Sequence, residues 1–316
     1  MSPQIPVVSL EPVIGGKAGG DETVARDVKA ALGSWGAFEL VDHGVPPATT
    51  DGAFAAAATF FKLPFETRMQ IKVDKHNRGY VPVHQTVYPG NLPDLKESFN
   101  IGTPLPADDP DVKAGKPLHA VNRWPDLPGF RAAVEGYFQA LTTLGDRLLG
   151  PLALCLDLKP AELRARYRKP IAFMRLFHYP PNSNVAQNEH KDYGFLTILA
   201  QDAIGGLELR SPQGKLVLAP PHPHSFIVNA GDMLSAITAD GIRSAPHRVI
   251  NRAGIGRYSI PFFYDPDFDA RFATLPDFSA GEFLLAKVQQ VLQTSQGSKR
   301  ADRLMRLIIR TSKTQY

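Results

Sequence analysis

The sequence contains one cysteine, Cys155, among its 316 residues, so no disulfide can form within the chain. It has no stretch approaching the roughly 20 apolar residues that a membrane-spanning helix needs, and its start lacks the pattern of a signal peptide. Basic residues exceed acidic ones by only 35 to 31, and they form no continuous run. This balance excludes the strong positive field of a protein that binds nucleic acid or anionic lipid. We therefore expect a cytoplasmic protein with no nucleic-acid or membrane partner.

The remaining composition is typical of a globular protein, since 43% of the residues are hydrophobic and 21% are charged. We find no internal repeat and no low-complexity linker. Helical periodicity of the apolar residues recurs in several segments of the chain. The predicted helices cover residues 21–32, 47–62, 130–158, 282–292 and 303–309.

The residues after position 171 follow a different pattern. Short apolar runs are separated by Pro, Gly, Asn or Asp about every ten residues, and many short strands at regular spacing are typical of a sandwich or barrel. Short strands are also predicted at residues 5–10 and 37–41. We therefore divide the chain into a mostly helical region with short strands, a β core, and helices that cover the core. These three parts are predicted at residues 1–165, 166–275 and 276–316.

His190 and Asp192 flank Lys191 just before a predicted strand and form a candidate pair of metal ligands. Residues two apart in an extended backbone project to the same side, so this pair faces together while Lys191 faces away. Imidazole and carboxylate belong to the 2-His-1-carboxylate triad that binds Fe(II) and leaves coordination positions open. His247, 55 residues beyond Asp192, opens another predicted strand and supplies the second histidine. The sequence therefore predicts an Fe(II) site formed by His190, Asp192 and His247.

Arg257 and Ser259 form a second candidate site, which begins ten residues after His247. Strand alternation places these two side chains on one face, opposite to Tyr258. A guanidinium buried among apolar side chains is costly unless it meets an anion, and its planar fork fits a carboxylate through two hydrogen bonds. An iron site followed by a carboxylate clamp is what a chelating 2-oxoacid cosubstrate requires. We predict that Arg257 and Ser259 hold its distal carboxylate, the alternative being an ordinary ion pair within a strand.

The chain also resembles a known family over nearly its whole length, through short motifs that occur in a fixed order. These motifs are Trp35-Gly36-Ala37-Phe38, Asp42-His43-Gly44, Arg78-Gly79-Tyr80-Val81-Pro82, Lys96-Glu97-Ser98-Phe99, Asn122-Arg123-Trp124-Pro125, His190-Lys191-Asp192, Gly205-Gly206-Leu207-Glu208, Asn229-Ala230-Gly231-Asp232, Ser244-Ala245-Pro246-His247-Arg248-Val249 and Arg257-Tyr258-Ser259. In this order they are similar to the isopenicillin-N-synthase-like branch of the 2-oxoglutarate/Fe(II)-dependent oxygenases.

The resemblance implies a mixed α/β (α+β) fold, with a double-stranded β-helix (jelly-roll) core flanked by N-terminal and C-terminal helices. It also implies a 2-oxoglutarate-dependent, non-haem Fe(II) dioxygenase that consumes O₂ and releases succinate and CO₂. Hydroxylation of a small-molecule metabolite is the expected reaction, because Asp192 fills the ligand position that halogenating relatives leave empty. Desaturation and cyclisation stay open. We expect a monomer or a simple homo-oligomer.

Two positions depart from the family's pattern. Lys191 stands where threonine is common, and because it points away from the metal we expect no loss of iron binding. Phe177 stands where the family's Asn-x-Tyr-Pro segment has asparagine, which removes one polar contact to the cosubstrate. Tyr179 matches the tyrosine of that segment and is predicted to bind 2-oxoglutarate.

The substrate contacts are predicted among aromatic residues, for which packing in the core is the alternative. These candidates are Tyr80, Phe99, Phe177, Phe195 and Phe263. Residues 229–232 are interpreted as a turn, and His222 and His224 as part of a surface loop rather than a second metal site.

Two other functions stay open. Some members of the branch use Arg-x-Ser to hold the substrate's own carboxylate and act as Fe(II) oxidases or cyclases without 2-oxoglutarate, and the loss of asparagine at Phe177 favours such a reaction. The other is a non-enzymatic jelly-roll binding protein with a relic metal site. Formation of succinate would distinguish the 2-oxoglutarate-dependent dioxygenase from an Fe(II) oxidase or cyclase. Replacement of Asp192 would distinguish an enzyme, which should lose activity, from a binding protein, whose function should not change.

Overall fold

The computed structural model describes residues 4–83, 94–181, 186–239 and 241–292. Within these ranges the strands form one sheet of eight and another of four. The strands are β1 (Val7–Ser9), β2 (Ala37–Val41), β3 (Gly79–Val81), β4 (Glu97–Gly102), β5 (Pro170–Tyr179), β6 (Gln187–His190), β7 (Leu196–Gln201), β8 (Leu207–Arg210), β9 (Leu216–Ala219), β10 (Phe226–Ala230), β11 (His247–Val249) and β12 (Arg257–Asp267). The larger sheet has the order β1-β2-β10-β7-β12-β5-β4-β3, and the smaller has the order β6-β11-β8-β9.

The two sheets face each other across a compact apolar interior. Phe177 and Leu199 of the larger sheet belong to the same buried cluster as Leu207 and Val249 of the smaller one. Apart from the parallel pair β1 and β2, neighbouring strands are antiparallel. Two facing antiparallel sheets joined in this order form a jelly roll, and the predicted fold class is confirmed.

Helices surround the larger sheet, and several of them contact its strands. They are α1 (Glu11–Ile14), α2 (Gly20–Ser34), α3 (Pro47–Phe61), α4 (Phe65–Met69), α5 (Pro110–Lys113), α6 (Phe130–Cys155), α7 (Pro160–Arg164), α8 (Asp232–Ile237) and α9 (Ala280–Leu292). The long helix α6 packs against α2 and α3 and also contacts β12. Its apolar stripe, which includes Leu141, Leu144 and Leu148, is buried in the larger of the two hydrophobic clusters. That cluster fixes the larger sheet from outside and leaves its inner face for the site.

Most predicted elements correspond to observed ones. The predicted helices at 21–32, 47–62, 130–158 and 282–292 are α2, α3, α6 and α9, whereas the one at 303–309 lies outside the described residues. The predicted turn at 229–232 is wrong, because Asn229 and Ala230 end β10 and Asp232 begins α8. The three-part division of the chain stays a prediction, and β1 to β4 of the larger sheet come from its first part.

No helix in the described ranges has both the length and the apolar character needed to span a membrane.

Candidate active site

The three predicted metal ligands lie together at one end of the smaller sheet. His190 ends β6, Asp192 follows two residues later, and His247 begins β11 opposite His190 in the antiparallel pair. The Oδ1 atom of Asp192 lies 3.8 Å from Nε2 of His190 and 3.9 Å from Nε2 of His247. One ligand atom from each residue lies within 4.8 Å of the others. Lys191 between them is exposed at the rim of the cavity.

Both imidazoles are held in the tautomer that a metal requires. Nδ1 of His190 lies 2.9 Å from the carbonyl oxygen of Asn188, and Nδ1 of His247 lies 3.0 Å from that of Ala245. A carbonyl only accepts, so each Nδ1 carries the hydrogen and each Nε2 presents its lone pair. Such hydrogen bonds orient the histidine ligands of metal sites. The donor set and its orientation therefore fit Fe(II).

The carboxylate of Asp192 is fixed by two hydrogen bonds that the sequence did not reveal. Oγ1 of Thr197 and Nδ2 of Asn229 donate to Oδ2 at 2.6 and 2.8 Å, which leaves Oδ1 towards the histidines. Burial alone would raise the pKa of Asp192, but His247, His190 and these two donors hold it below its ordinary value. In the sequence, the contact from Asn229 is indicated only by the presence of a polar asparagine in the otherwise apolar strand β10.

We expect the metal-free protein to become more stable as the pH rises from about 3 to 6.5. Burial, followed by the charge of His247, lowers the pKa of His190 from 6.5 to about 3. In this window the unfolded chain protonates His190 while the folded chain keeps it neutral. The unfolded state then binds more protons, so the free energy of unfolding increases with pH.

Urea unfolding with a chelator present, at pH 4.5 and pH 6.5, measures this effect. The His190→Gln variant should show a smaller stability difference between the two pH values than the wild type. Equal differences in the two proteins would contradict the assignment.

The predicted carboxylate clamp is completely buried. Arg257 and Ser259 have no exposed surface, and Arg257 pairs with Tyr179 in the register of β12 and β5. The guanidinium lies 4.7 Å from the Tyr179 ring and donates through Nε to the carbonyl of Gly205. Within the described part of the chain, its Nη1 and Nη2 atoms have no hydrogen-bond partner. Ser259 Oγ lies 3.4 Å from the Tyr179 hydroxyl.

An unpaired guanidinium fork in the interior is costly, so it needs an incoming anion. These atoms therefore fit a cosubstrate carboxylate.

One cavity joins the metal ligands to the inner face of the larger sheet. Tyr179, Phe177 and Phe263 line it, together with the three candidate ligands. Tyr80, Phe99 and Phe195, which we also predicted as substrate contacts, are instead buried in the larger hydrophobic cluster.

His222 and His224 form no metal cluster within the described residues. Nδ1 of His222 lies 2.6 Å from a carboxylate oxygen of Glu39, while His224 is partly exposed.

Two family models match the chain. Residues 5–127 match the N-terminal region of the non-haem dioxygenases in morphine synthesis, and residues 170–266 match the 2OG-Fe(II) oxygenase superfamily. The 2-oxoglutarate-dependent dioxygenase citB of Monascus ruber is 37% identical over 268 residues, which cover 80% of this chain and 81% of that protein. The 2-oxoglutarate-Fe(II) type oxidoreductase hxnY of Emericella nidulans is 32% identical over 293 residues, 88% of this chain and 84% of that protein.

Solved structures agree with these matches. A full-length Neurospora crassa protein, crystallised in complex with α-ketoglutarate, superimposes with a TM-score of 0.78 at 26% identity, covering 90% of this chain and 96% of the other. The rice dioxygenase for auxin oxidation superimposes with a TM-score of 0.72 at 26% identity, covering 95% and 99% of the two chains. Both of these sequence relatives are named for 2-oxoglutarate, and together with the superfamily match they confirm the predicted 2-oxoglutarate-dependent dioxygenase.

Proposed function

This chain belongs to the 2OG-Fe(II) oxygenase superfamily, and on that premise we propose that His190, Asp192 and His247 bind its iron. It is a 2-oxoglutarate-dependent dioxygenase that uses Fe(II) and O₂ on a small-molecule substrate. Iron bound here supplies the oxidative chemistry: one oxygen atom of O₂ enters succinate as 2-oxoglutarate loses CO₂, and the other oxidises a substrate C–H bond. The support for these three ligands is the convergence of two Nε2 lone pairs on a fixed Asp192 oxygen.

The cosubstrate carboxylate belongs at Arg257 in this proposal. The observation that carries it is the pair of buried Nη atoms without a partner in the described residues. The Tyr179 ring lies beside the guanidinium, and Ser259 Oγ lies 3.4 Å from the Tyr179 hydroxyl. Because Tyr179 donates its one hydroxyl hydrogen to Gln187, Ser259 is the hydroxyl that can turn to donate to the carboxylate. The apolar side chains of Phe177 and Leu199 line the adjoining cavity.

The register of β5 and β12 distinguishes two ends of the cavity, one for the cosubstrate and one for the substrate. Side chains alternate along a strand, so Phe173, Arg175, Phe177 and Tyr179 line one face of β5 in sequence, and each of them lines the cavity. Arg257 pairs with Tyr179, whereas Phe263 pairs with Phe173 at the other end. The substrate therefore enters at Phe173, Arg175 and Phe263.

Arg175 makes this substrate end positive. Its guanidinium lies 5.3 Å from the ring of Phe173 and 5.6 Å from that of Phe263, and its buried Nε has no hydrogen-bond partner in the described residues. The carboxyl group of Asp265, which also lines the cavity, accepts from the Phe195 amide. Burial raises its pKa to about 7, so it is a poor counter-ion for Arg175. A guanidinium between two rings suits a flat anion.

Arg78 adds a second positive charge to the same end of the cavity. Its guanidinium lies 5.1 Å from the Phe173 ring, and its Nε is buried without a partner in the described residues. Burial lowers the pKa of Arg78 to about 10, which leaves it charged at neutral pH. The proposed substrate is accordingly a small carboxylate or phenolate with an aromatic or unsaturated body, and hydroxylation is the proposed reaction. We also propose that the protein is a monomer or a simple homo-oligomer and that it is cytoplasmic.

We expect aromatic and unsaturated acids to stimulate succinate release more than their methyl esters or amides do. The Arg175→Met variant should lower kcat/KM for an accepted acid by about 10- to 100-fold, since hydrogen bonds to a charged group contribute about 1.5–3 kcal/mol. The KM for 2-oxoglutarate should stay the same, because Arg175 lies at the other end of the cavity. Succinate release measured over a panel of acid and ester pairs provides the test.

Arg131→Met is the matched control, since Arg131 also stacks on an aromatic ring, that of Trp124, but does not line the cavity. Equal stimulation by an acid and its ester, in the wild type and in Arg175→Met, would refute an anionic substrate.

A further inference from the structure

Phe177 leaves the metal end of the cosubstrate pocket short of a polar group. The corresponding residue of the resembled family is asparagine, two positions before the tyrosine matched by Tyr179. Phe177 is buried with its ring 5.8 Å from that of Tyr179 and has no hydrogen-bonding atom in its side chain. A metal-bound carboxylate would meet an apolar wall there unless another residue supplies a donor.

Gln187, the first residue of β6, lies between the cosubstrate clamp and the metal ligands. Its side chain is buried and lines the cavity. Oε1 accepts from the Tyr179 hydroxyl at 3.3 Å, and Nε2 lies 2.9 Å from Nε2 of His190. One amide therefore contacts both a proposed cosubstrate ligand and a proposed iron ligand.

The direction of this second contact follows from the tautomer of His190. Since Nδ1 of His190 donates to the Asn188 carbonyl, its Nε2 atom accepts, and Gln187 is the donor. The hydroxyl of Tyr179 holds the amide oxygen on the other side, so the amide cannot turn over without breaking both hydrogen bonds. Gln187 thus occupies the lone pair that iron would take.

Iron binding at His190 removes the acceptor of the Gln187 amide hydrogen. A buried donor left without a partner costs about 1–3 kcal/mol, and this one stays adjacent to the ligand atom of His190. We propose that Gln187 donates this hydrogen to the metal-ligating carboxylate of 2-oxoglutarate and so supplies the polar group that Phe177 cannot. The proposal rests on the function proposed above.

Lys96 is the rival donor, and its contacts direct it elsewhere. Its Nζ lies 2.8 Å from a carboxylate oxygen of Asp94 and 4.8 Å from the centre of the Phe177 ring. The ammonium therefore has a partner of its own and packs on Phe177, whereas Gln187 faces the metal.

The experiment compares the wild type with Gln187→Leu, Gln187→Glu and the double variant Phe177→Asn/Gln187→Leu. Each protein is loaded anaerobically with Fe(II) and titrated with 2-oxoglutarate, and the visible charge-transfer band gives the Kd and the band maximum. Fe(II) affinity is measured separately by calorimetry. Gln187→Glu keeps the shape and the oxygen that accepts from Tyr179, so it tests the donor in a side chain that fits the fold. Gln139→Leu on the exposed face of α6 is the control.

Loss of the donor should raise the Kd for 2-oxoglutarate about tenfold or more and shift the band maximum. Fe(II) affinity should not fall, because neither replacement donates a hydrogen bond that competes with iron for Nε2 of His190. Asparagine at position 177 should restore most of the affinity in the double variant. If the wild type shows the band, and both single variants show it with the same Kd and the same maximum, the role of Gln187 is overturned while the proposed function stands. Parallel losses of Fe(II) and 2-oxoglutarate affinity, without rescue by asparagine, would also overturn it. Absence of a band in the wild type would instead refute the proposed function.

Discussion

Replacing Arg257 with methionine should raise the KM for 2-oxoglutarate by about 100-fold or more while leaving the cosubstrate-free protein as stable as the wild type. The two effects separate because the guanidinium is wholly buried and its Nη1 and Nη2 atoms have no partner in the described residues. Two charge-assisted hydrogen bonds of about 1.5–3 kcal/mol each would disappear with the arginine. The relief from burying a charge whose fork has no partner should offset the loss of its hydrogen bond from Nε to the carbonyl of Gly205.

Steady-state succinate formation and thermal unfolding measure these two quantities. In the wild type, 2-oxoglutarate at 100 times its Kd should stabilise the folded protein by about 2.7 kcal/mol, and this stabilisation should vanish in Arg257→Met. Arg248→Met is the control, because Arg248 already pairs with Glu208 on the neighbouring strand. A variant at position 257 that keeps the wild-type KM would show that the arginine binds something else.

The sequence could pair the candidate clamp residues and two of the candidate ligands, because the spacing of residues along a strand determines which side chains share a face. His190 and Asp192 lie two residues apart, as do Arg257 and Ser259, and strand alternation alone places each pair on one face. His247 is different, since 55 residues separate it from Asp192. Its antiparallel pairing with His190 is a property of the folded sheet. Its position at the start of another predicted strand made it a candidate, and the ordered motifs of the resembled family then supported it.

The residues that the sequence did not reveal act across strands. Asn229 reaches Asp192 from β10, and Gln187 reaches Tyr179 from β6. No local spacing encodes such contacts, because they depend on sheet order and register. The aromatic candidates show the same limit. Hydrophobicity marks Phe99 and Phe263 as buried, but only the fold places Phe99 in the helix-covered core and Phe263 in the cavity.

Replacing Asp192 with alanine should weaken Fe(II) binding by at least about 100-fold and reduce succinate formation to background. Asp192 supplies the only carboxylate of the metal cluster in the described residues, and its Oδ1 lies between the two Nε2 atoms. The measurement is calorimetric Fe(II) titration in chloride-free buffer, because an anion could otherwise fill the vacated position. The fold should persist, with a modest drop in Tm, since Thr197 and Asn229 lose their acceptor.

Asn229→Ala should weaken Fe(II) binding less than Asp192→Ala does. It removes one of the two donors to Oδ2 and leaves Thr197 to hold the carboxylate. Outer-sphere partners of this kind typically contribute 10- to 100-fold in metal affinity or activity, so we expect about a tenfold weaker Fe(II) complex. Wild-type Fe(II) affinity in Asp192→Ala would rule out the carboxylate as a ligand. An Asn229→Ala variant as defective as Asp192→Ala would mean that the orientation of the carboxylate, more than its charge, determines whether iron binds.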